Sequence, residues 1–178
     1  DEIGPGERSR AKAVNFGIVY GLSAHGLSEQ LDIPHDEAAE YIERYLNRFP
    51  AVQKFIEKTI GRATESGYVE TLFGRRRPIP ELRSGNPNTR RLGERLAVNT
   101  VIQGTAADVM KLAMIRVHAE LERRGLTTRM ILTIHDELLF EGPESEMDEV
   151  RAIAEAEMVA PWEDRTPPLA VDAGVGRT

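Results

Sequence analysis

The sequence predicts an α+β fold, a helix-rich first half followed by a segment that carries an antiparallel sheet. Three observations lead there. Apolar residues recur at helical spacing through four segments before Gly67 and again through a long one from Thr89 to Gly125. Short strand patterns come in consecutive pairs, and consecutive short strands pair antiparallel. The 178 residues are 40% apolar and 29% charged, enough to bury a core in one large or two small domains, and no apolar run approaches the length of a membrane span.

Asp1 to Glu7, with Gly4, Pro5 and Gly6, lacks periodicity and reads as a frayed start. From Arg8 to Gly21, RSRAKAVNFGIVYG, a helix turning about 100° per residue puts Arg8, Lys12, Phe16 and Tyr20 on one face. Ala11, Val14 and Ile18 form an apolar seam on the other side. Ser23 to Leu31 is a short second helix that Ile33-Pro34 terminates. Ala39, Ile42, Leu46 and Phe49 mark a third helix from Asp36, which Pro50 stops. Val52, Phe55, Ile56 and Ile60 mark a fourth ending near Ser66, with Gly67 as its left-handed cap.

Tyr68 to Thr71 and Arg75 to Pro80 predict a small hairpin with a basic tip, and Ser84 to Asn88 a loop. The long helix holds a seam at Ala106, Val109, Met110, Ala113, Val117 and Leu121, and Gly104 is a place for it to bend. Arg129 to Ile134 and Leu138 to Glu141 are apolar strands joined by His135-Asp136-Glu137. Tight hairpins favour Asn-Gly or Asp-Gly, so three ionisable residues without a glycine point to chemistry at this turn. Glu144 to Val159 is an acidic helix, and Leu169 to Val175 a last strand.

Charge is unevenly spread along a chain of net −6. Arg62 to Arg95 holds eight Arg and four Glu, whereas Asp136 to Asp164 holds eleven carboxylates and one Arg. One part suits phosphate and the other cations; solvated surfaces of opposite sign are the ordinary alternative. The chain has no cysteine and no secretory signal pattern, which is expected of a cytoplasmic protein, and any metal site must use carboxylates.

Two cations followed by two aromatics on one helix face suit a polyanion bearing a planar group, such as a nucleoside triphosphate; a solvated face and a core pair are the ordinary alternatives. Asp136 at a hairpin tip is a candidate ligand for a hard cation such as Mg²⁺, with Glu137 on the opposite face of the extended backbone. Arg91, Arg95, Asn99 and Gln103 recur every four residues beside Arg90, and their guanidinium and amide groups suit phosphates and base edges. Two classes fit parts of this pattern. A non-catalytic DNA-binding module needs the basic segment but not Asp136; a carboxylate-metal phosphohydrolase needs Asp136 but not the Arg8 to Tyr20 face.

RSRAKAVNFGIVYG, GYVETLFGRRRPIP, RRLGERLAVNTVIQGTAADVMK and TIHDELLFE occur in this order, and together they resemble family A DNA polymerases, the DNA polymerase I group, from about Arg8 to Gly176. The resemblance implies DNA-templated nucleotidyl transfer of deoxynucleotides to a primer 3′ end with two Mg²⁺ ions, in DNA replication and repair. It implies a fingers segment at 1–89 and a palm segment at 90–178. Arg8 and Lys12 match residues that hold the triphosphate, and Phe16 and Tyr20 those that pack on the incoming sugar and base. Asp136 matches a catalytic metal-binding aspartate beside Glu137, so Asp136, Glu137 and Lys12 are the implied catalytic set. Arg90, Arg91, Arg95, Asn99, Gln103 and His135 match residues that contact primer-template DNA. Thr133-Ile134 stands where Gln-Val is usual, and Thr100-Val101 where a proline often occurs. The segment resembling Asp-Tyr-Ser-Gln-Ile-Glu that bears the family's first catalytic aspartate does not occur in these 178 residues, so this chain is expected to be inactive alone and to self-associate through an open sheet edge.

Overall fold

The structure is a computed structural model that describes residues 4–176. It divides into two compact units, residues 1–105 and 106–178. The order is α1 (Pro5–Val19), α2 (Ala24–Leu31), α3 (His35–Arg48), α4 (Pro50–Ser66), β1 (Tyr68–Glu70), β2 (Arg76–Pro78), α5 (Pro87–Arg123), β3 (Arg129–Ile134), β4 (Glu137–Glu141) and α6 (Met147–Val159). The α+β class therefore holds, with two separate two-stranded antiparallel sheets.

In the first unit, α1 begins at Pro5, three residues before the expected start. Proline lacks an N–H, but the first turn of a helix has no partner for that group, so Pro5 opens the helix rather than delaying it. The expected fray at Asp1 to Ile3 lies outside the described residues. Pro50 acts the same way: α3 stops at Arg48, and Pro50 is the first residue of α4. Ser23 caps α2, its hydroxyl accepting from the Gly26 amide at 3.2 Å. Tyr45 donates its hydroxyl to Asn15 Oδ1, tying α3 to α1.

The buried seams are displaced from those expected. Ile18 is buried and Val14 half-buried, but Ala11 is exposed; in α3 Ala38 replaces Ala39, and in α4 Thr59 and Ala63 are buried while Phe55 is exposed. Large apolar residues are buried as well, Leu27 at 1% and Val98 at 2% exposure. The core gathers Ala63, Val69, Ile79, Leu82 and Ala97, with Leu96 and Val101 against it. Gly67 caps α4 in the left-handed conformation at φ +81°, as expected. Its carbonyl accepts from Ile79, which closes the β1–β2 hairpin in register Val69 with Arg77.

The second unit contains the C-terminal part of α5, the β3–β4 hairpin and α6 around Val117, Leu121, Val150 and Ile153, with Leu126, Met130, Phe140 and Met158 packed on them. Arg116 pairs with Glu157 at 2.7 Å and Arg124 with Glu149 at 3.0 Å, joining α5 to α6. Glu146, just before α6, accepts the Thr127 amide and hydroxyl at 3.1 and 2.8 Å and those of Thr128 at 2.9 and 2.6 Å. These bonds hold its carboxyl down at about 2, the Thr128 hydroxyl contributing most.

Cross-strand pairs of β3 and β4 share a face: Met130 and Phe140 join the core, while Leu132 and Leu139 pair on the outer face, each half-exposed. A register shift between Met130 and Leu132 separates the two patterns. The expected strand at Leu169 to Val175 does not form; that segment has no regular structure. Its residues are apolar or small apart from Asp172, but they have no strand beside them within the described residues. Before it, the Trp162 indole donates to the Pro167 carbonyl at 2.8 Å, and Arg165 lies 5.2 Å over its ring.

Candidate nucleotide and nucleic-acid site

Within the first unit, one turn of helix separates each of Lys12, Phe16 and Tyr20. The rings of Phe16 and Tyr20 stack with centroids 6.0 Å apart and planes at 19°, and Lys12 Nζ lies 5.8 Å over the Phe16 ring. Phe16 is 46% exposed although nothing polar compels it to be, so the stacked pair presents an open apolar platform beside a cation. Lys12, Phe16, Tyr20, Arg95 and Gln30 line one cleft of about 480 Å³. Arg8 is exposed one turn before Lys12 but does not line that cleft.

Arg95 enters the same cleft from α5, so the stripe predicted on that helix and the predicted face of α1 meet there. Arg91 and Arg95 also line a second cleft of about 550 Å³, with Ile56, Ile60 and Asn88. Arg90 and Gln103 are exposed. Asn99 is half-buried, and its Oδ1 is enclosed without a hydrogen-bond partner among the described residues. An amide oxygen left so is costly unless a donor from elsewhere reaches it.

Sequence reasoning missed Gln30. Its signal was weak: α2 is eight residues long, and a glutamine near its end reads as solvated surface until the turn after Tyr20 folds α2 back alongside α1. The Arg75 to Arg77 run was legible as a basic tip, but its guanidinium groups are engaged. Arg76 pairs with Glu70 at 2.7 Å and lies 4.8 Å over Tyr68; the Glu70 bond raises its already high pKa.

The second unit holds His135, Asp136 and Glu137. Ile134 pairs with Glu137, so the turn is only His135-Asp136 and Glu137 is the first residue of β4, a correction to the three-residue connection expected. The strands stay paired to their last residues, which leaves two residues to reverse the chain. His135 does so at φ +56°, a left-handed conformation uncommon for a residue with a Cβ and one that clusters at functional sites. All three side chains are exposed. Among the described residues no group of three or more His, Asp or Glu comes together to hold a metal ion. The tip can supply one or two carboxylates to a hard cation, which then needs oxygen ligands from a substrate phosphate, water or another chain segment.

The family described as DNA polymerase family A matches residues 1–178. The thermostable DNA polymerase I of Thermus thermophilus is 47% identical over 176 residues, covering 99% of this chain and 21% of that protein. DNA polymerase I of Bacillus caldotenax is 46% identical over 178 residues, covering 100% of this chain and 20% of that protein. Among solved structures, the POL domain of Pol1 from M. smegmatis, in complex with DNA primer-template and dNTP, superposes with a TM-score of 0.85 at 43% identity, covering 90% of this chain and 28% of that one. The chain thus spans about a fifth of the length of the curated relatives it matches.

Proposed function

Because this chain belongs to DNA polymerase family A, we propose that it supplies the nucleotide-binding helix, a primer-template stripe and one metal-binding aspartate of a DNA-directed DNA polymerase. The observation that carries the reading is the cleft in which Lys12, the Phe16–Tyr20 stack and Arg95 converge. Lys12, with Arg8 one turn before it, holds the triphosphate of a deoxynucleotide; the stacked rings take its sugar and base. Arg90, Arg91, Arg95, Asn99 and Gln103 take the primer-template, amides toward base edges and guanidinium groups toward phosphates or bases. His135 lies beside the primer terminus. Residues 1–89 act as fingers and 90–178 as palm.

Metal dependence belongs to the family; we assign Mg²⁺ as the ion and Asp136 as its ligand, with Glu137 beside it. A bound Mg²⁺ neutralises charge on the transferring phosphoryl group. The chain's own contribution is to fix Asp136 at the end of two paired strands. One aspartate is half of the anionic cage such catalysis uses, so the 178 residues alone bind substrates but do not extend a primer. No helix among the described residues is long and apolar enough to cross a membrane, and a chain without cysteine suits action in the cytoplasm.

The test is binding of a deoxynucleoside triphosphate and of primer-template DNA to the chain, each with and without Mg²⁺. Triphosphate binding that needs Lys12, together with salt-sensitive DNA binding, is the expected result. DNA binding with no triphosphate affinity favours the simple DNA-binding module, and cleavage of phosphate esters by the chain favours the phosphohydrolase.

A further inference from the structure

The run Arg75-Arg76-Arg77 looks like a phosphate grip, but Arg75 and Arg77 bond to the chain's own α5. Within the first unit the β1–β2 hairpin meets α5 at three points spaced along little more than one helical turn. Arg77 Nη1 donates to Thr100 Oγ1 at 2.9 Å, and that hydroxyl in turn donates to the Leu96 carbonyl at 2.6 Å. Arg75 Nη2 donates to the Gly104 carbonyl at 3.0 Å. The Leu72 amide donates to Thr105 Oγ1 at 3.0 Å, while that hydroxyl donates to the Val101 carbonyl. A side chain at 104 would close this seam, because a Cβ there would lie 2.8 Å from Thr71 Cγ2.

The residues the hairpin touches are Thr100, Gly104 and Thr105. Thr100 and Gly104 follow directly after Asn99 and Gln103, which therefore lie about 100° around the helix from those two contacts, while Arg95 lies about 140° from Thr100. A brace at those angles fixes the rotation of α5 without standing between the stripe and a ligand. Side-chain tips sit roughly 6 Å from a helix axis, so a rotation of about 10° shifts them by about 1 Å. A shift of that size is enough to lose much of an oriented contact.

We propose that Arg75 and Arg77 are positioning residues, which lock the hairpin onto α5 so that Arg95, Asn99 and Gln103 face primer-template DNA in one fixed rotation. The proposal rests on the reading of that stripe as DNA-facing. It separates the three arginines: Arg76, paired with Glu70, belongs to the hairpin alone.

The experiment compares the chain with Arg77→Ala, Arg77→Lys, Arg75→Ala and Gln103→Ala variants, singly and with Arg77→Ala combined with Gln103→Ala. Fluorescence anisotropy reads primer-template affinity over a salt series, and hydrogen exchange reads the amides of residues 97–105 in the free chain. A brace predicts that Arg77→Ala weakens binding about tenfold with the salt slope unchanged, that Arg77→Lys is no better, and that Gln103→Ala adds little on top. It also predicts faster exchange at 97–105 in Arg75→Ala and both Arg77 variants. A salt slope lower by about 0.9 with Arg77→Lys near wild type would mean a direct phosphate contact and overturn the proposal. Unchanged exchange at 97–105 also overturns it, whether or not DNA binds. Failure of the unsubstituted chain to bind DNA instead removes the functional reading, and the exchange data still decide the brace.

Discussion

Gly21 and Arg95 fit together as a backbone and the side chain laid across it: a Cβ on Gly21 would lie 2.9 Å from Arg95 Cγ. Gly21 is at φ +74°, where a side chain is disfavoured even in open space. The turn after α1 therefore both ends that helix and leaves room for the arginine stem on its way to the cleft. Gly21→Ala should cost about 1 to 2 kcal/mol from backbone conformation alone, and more from displacing Arg95. Thermal unfolding checks the first part. A double-mutant cycle checks the second: if the clash matters, Arg95→Ala costs less DNA affinity in the Gly21→Ala background than in the native one.

Lys12→Ala should weaken triphosphate binding by about 1.5 to 3 kcal/mol, the range for hydrogen bonds to charged groups. All four deoxynucleotides should be affected alike, because the contact is to phosphate. Calorimetric titration with each of the four measures this; an unchanged affinity for every base removes Lys12 from the site.

Much of this was legible in the chain. Gly67 had to be a left-handed cap because a helical seam ends just before it and a strand pattern begins just after. The Lys12–Phe16–Tyr20 face needed only the helical period. What stayed hidden depends on partners distant in sequence. Nothing near Arg75 or Arg77 says that Gly104 and Thr100 will accept their hydrogen bonds, and nothing near Gln30 says that α2 folds back beside the cleft. Leu169 to Val175 is irregular for the same reason: its apolar run fits a strand, but a strand needs a neighbour.

Glu146 makes the second unit sensitive to acid. Its carboxyl is held at about 2 in the folded chain against an ordinary value of 4.5, chiefly by the Thr128 hydroxyl and the Thr127 amide. A depressed value stabilises the fold above the ordinary one, and that contribution fades as pH falls from about 4.5 to about 2. Glu146→Gln places an amide donor where donors already converge, so it should lower the melting temperature at neutral pH. The gap between variant and parent should narrow through that acid window. A gap that stays constant down to pH 2 would show that the carboxylate charge contributes nothing.

Asp136→Asn should abolish the weak Mg²⁺ affinity expected of the hairpin tip, since an amide offers one uncharged oxygen in place of a carboxylate. Primer extension by the purified 178 residues is the companion measurement. Extension that disappears in Asp136→Asn would overturn the expectation that one aspartate is too few.

The outer face of β3 and β4 presents Leu132, Ile134 and Leu139, each about half-exposed, at 50%, 48% and 50%. A hairpin apolar on both faces has one face more than its own core covers. The chain should therefore sediment in a concentration-dependent way, and Leu139→Lys should shift it toward monomer. Monomeric behaviour of the parent at all concentrations would show that this face stays solvated.

Trp162 is the chain's single tryptophan, and it lies in the second unit, held by its bond to Pro167. All four tyrosines, Tyr20, Tyr41, Tyr45 and Tyr68, lie in the first. Each unit thus carries its own intrinsic chromophore. Selective excitation of the indole follows the melting of residues 106–178, while the phenol signal follows residues 1–105, where Tyr20 also belongs to the cleft. A single unlabelled sample can report whether the halves unfold together or in succession, and which of them a bound nucleotide protects.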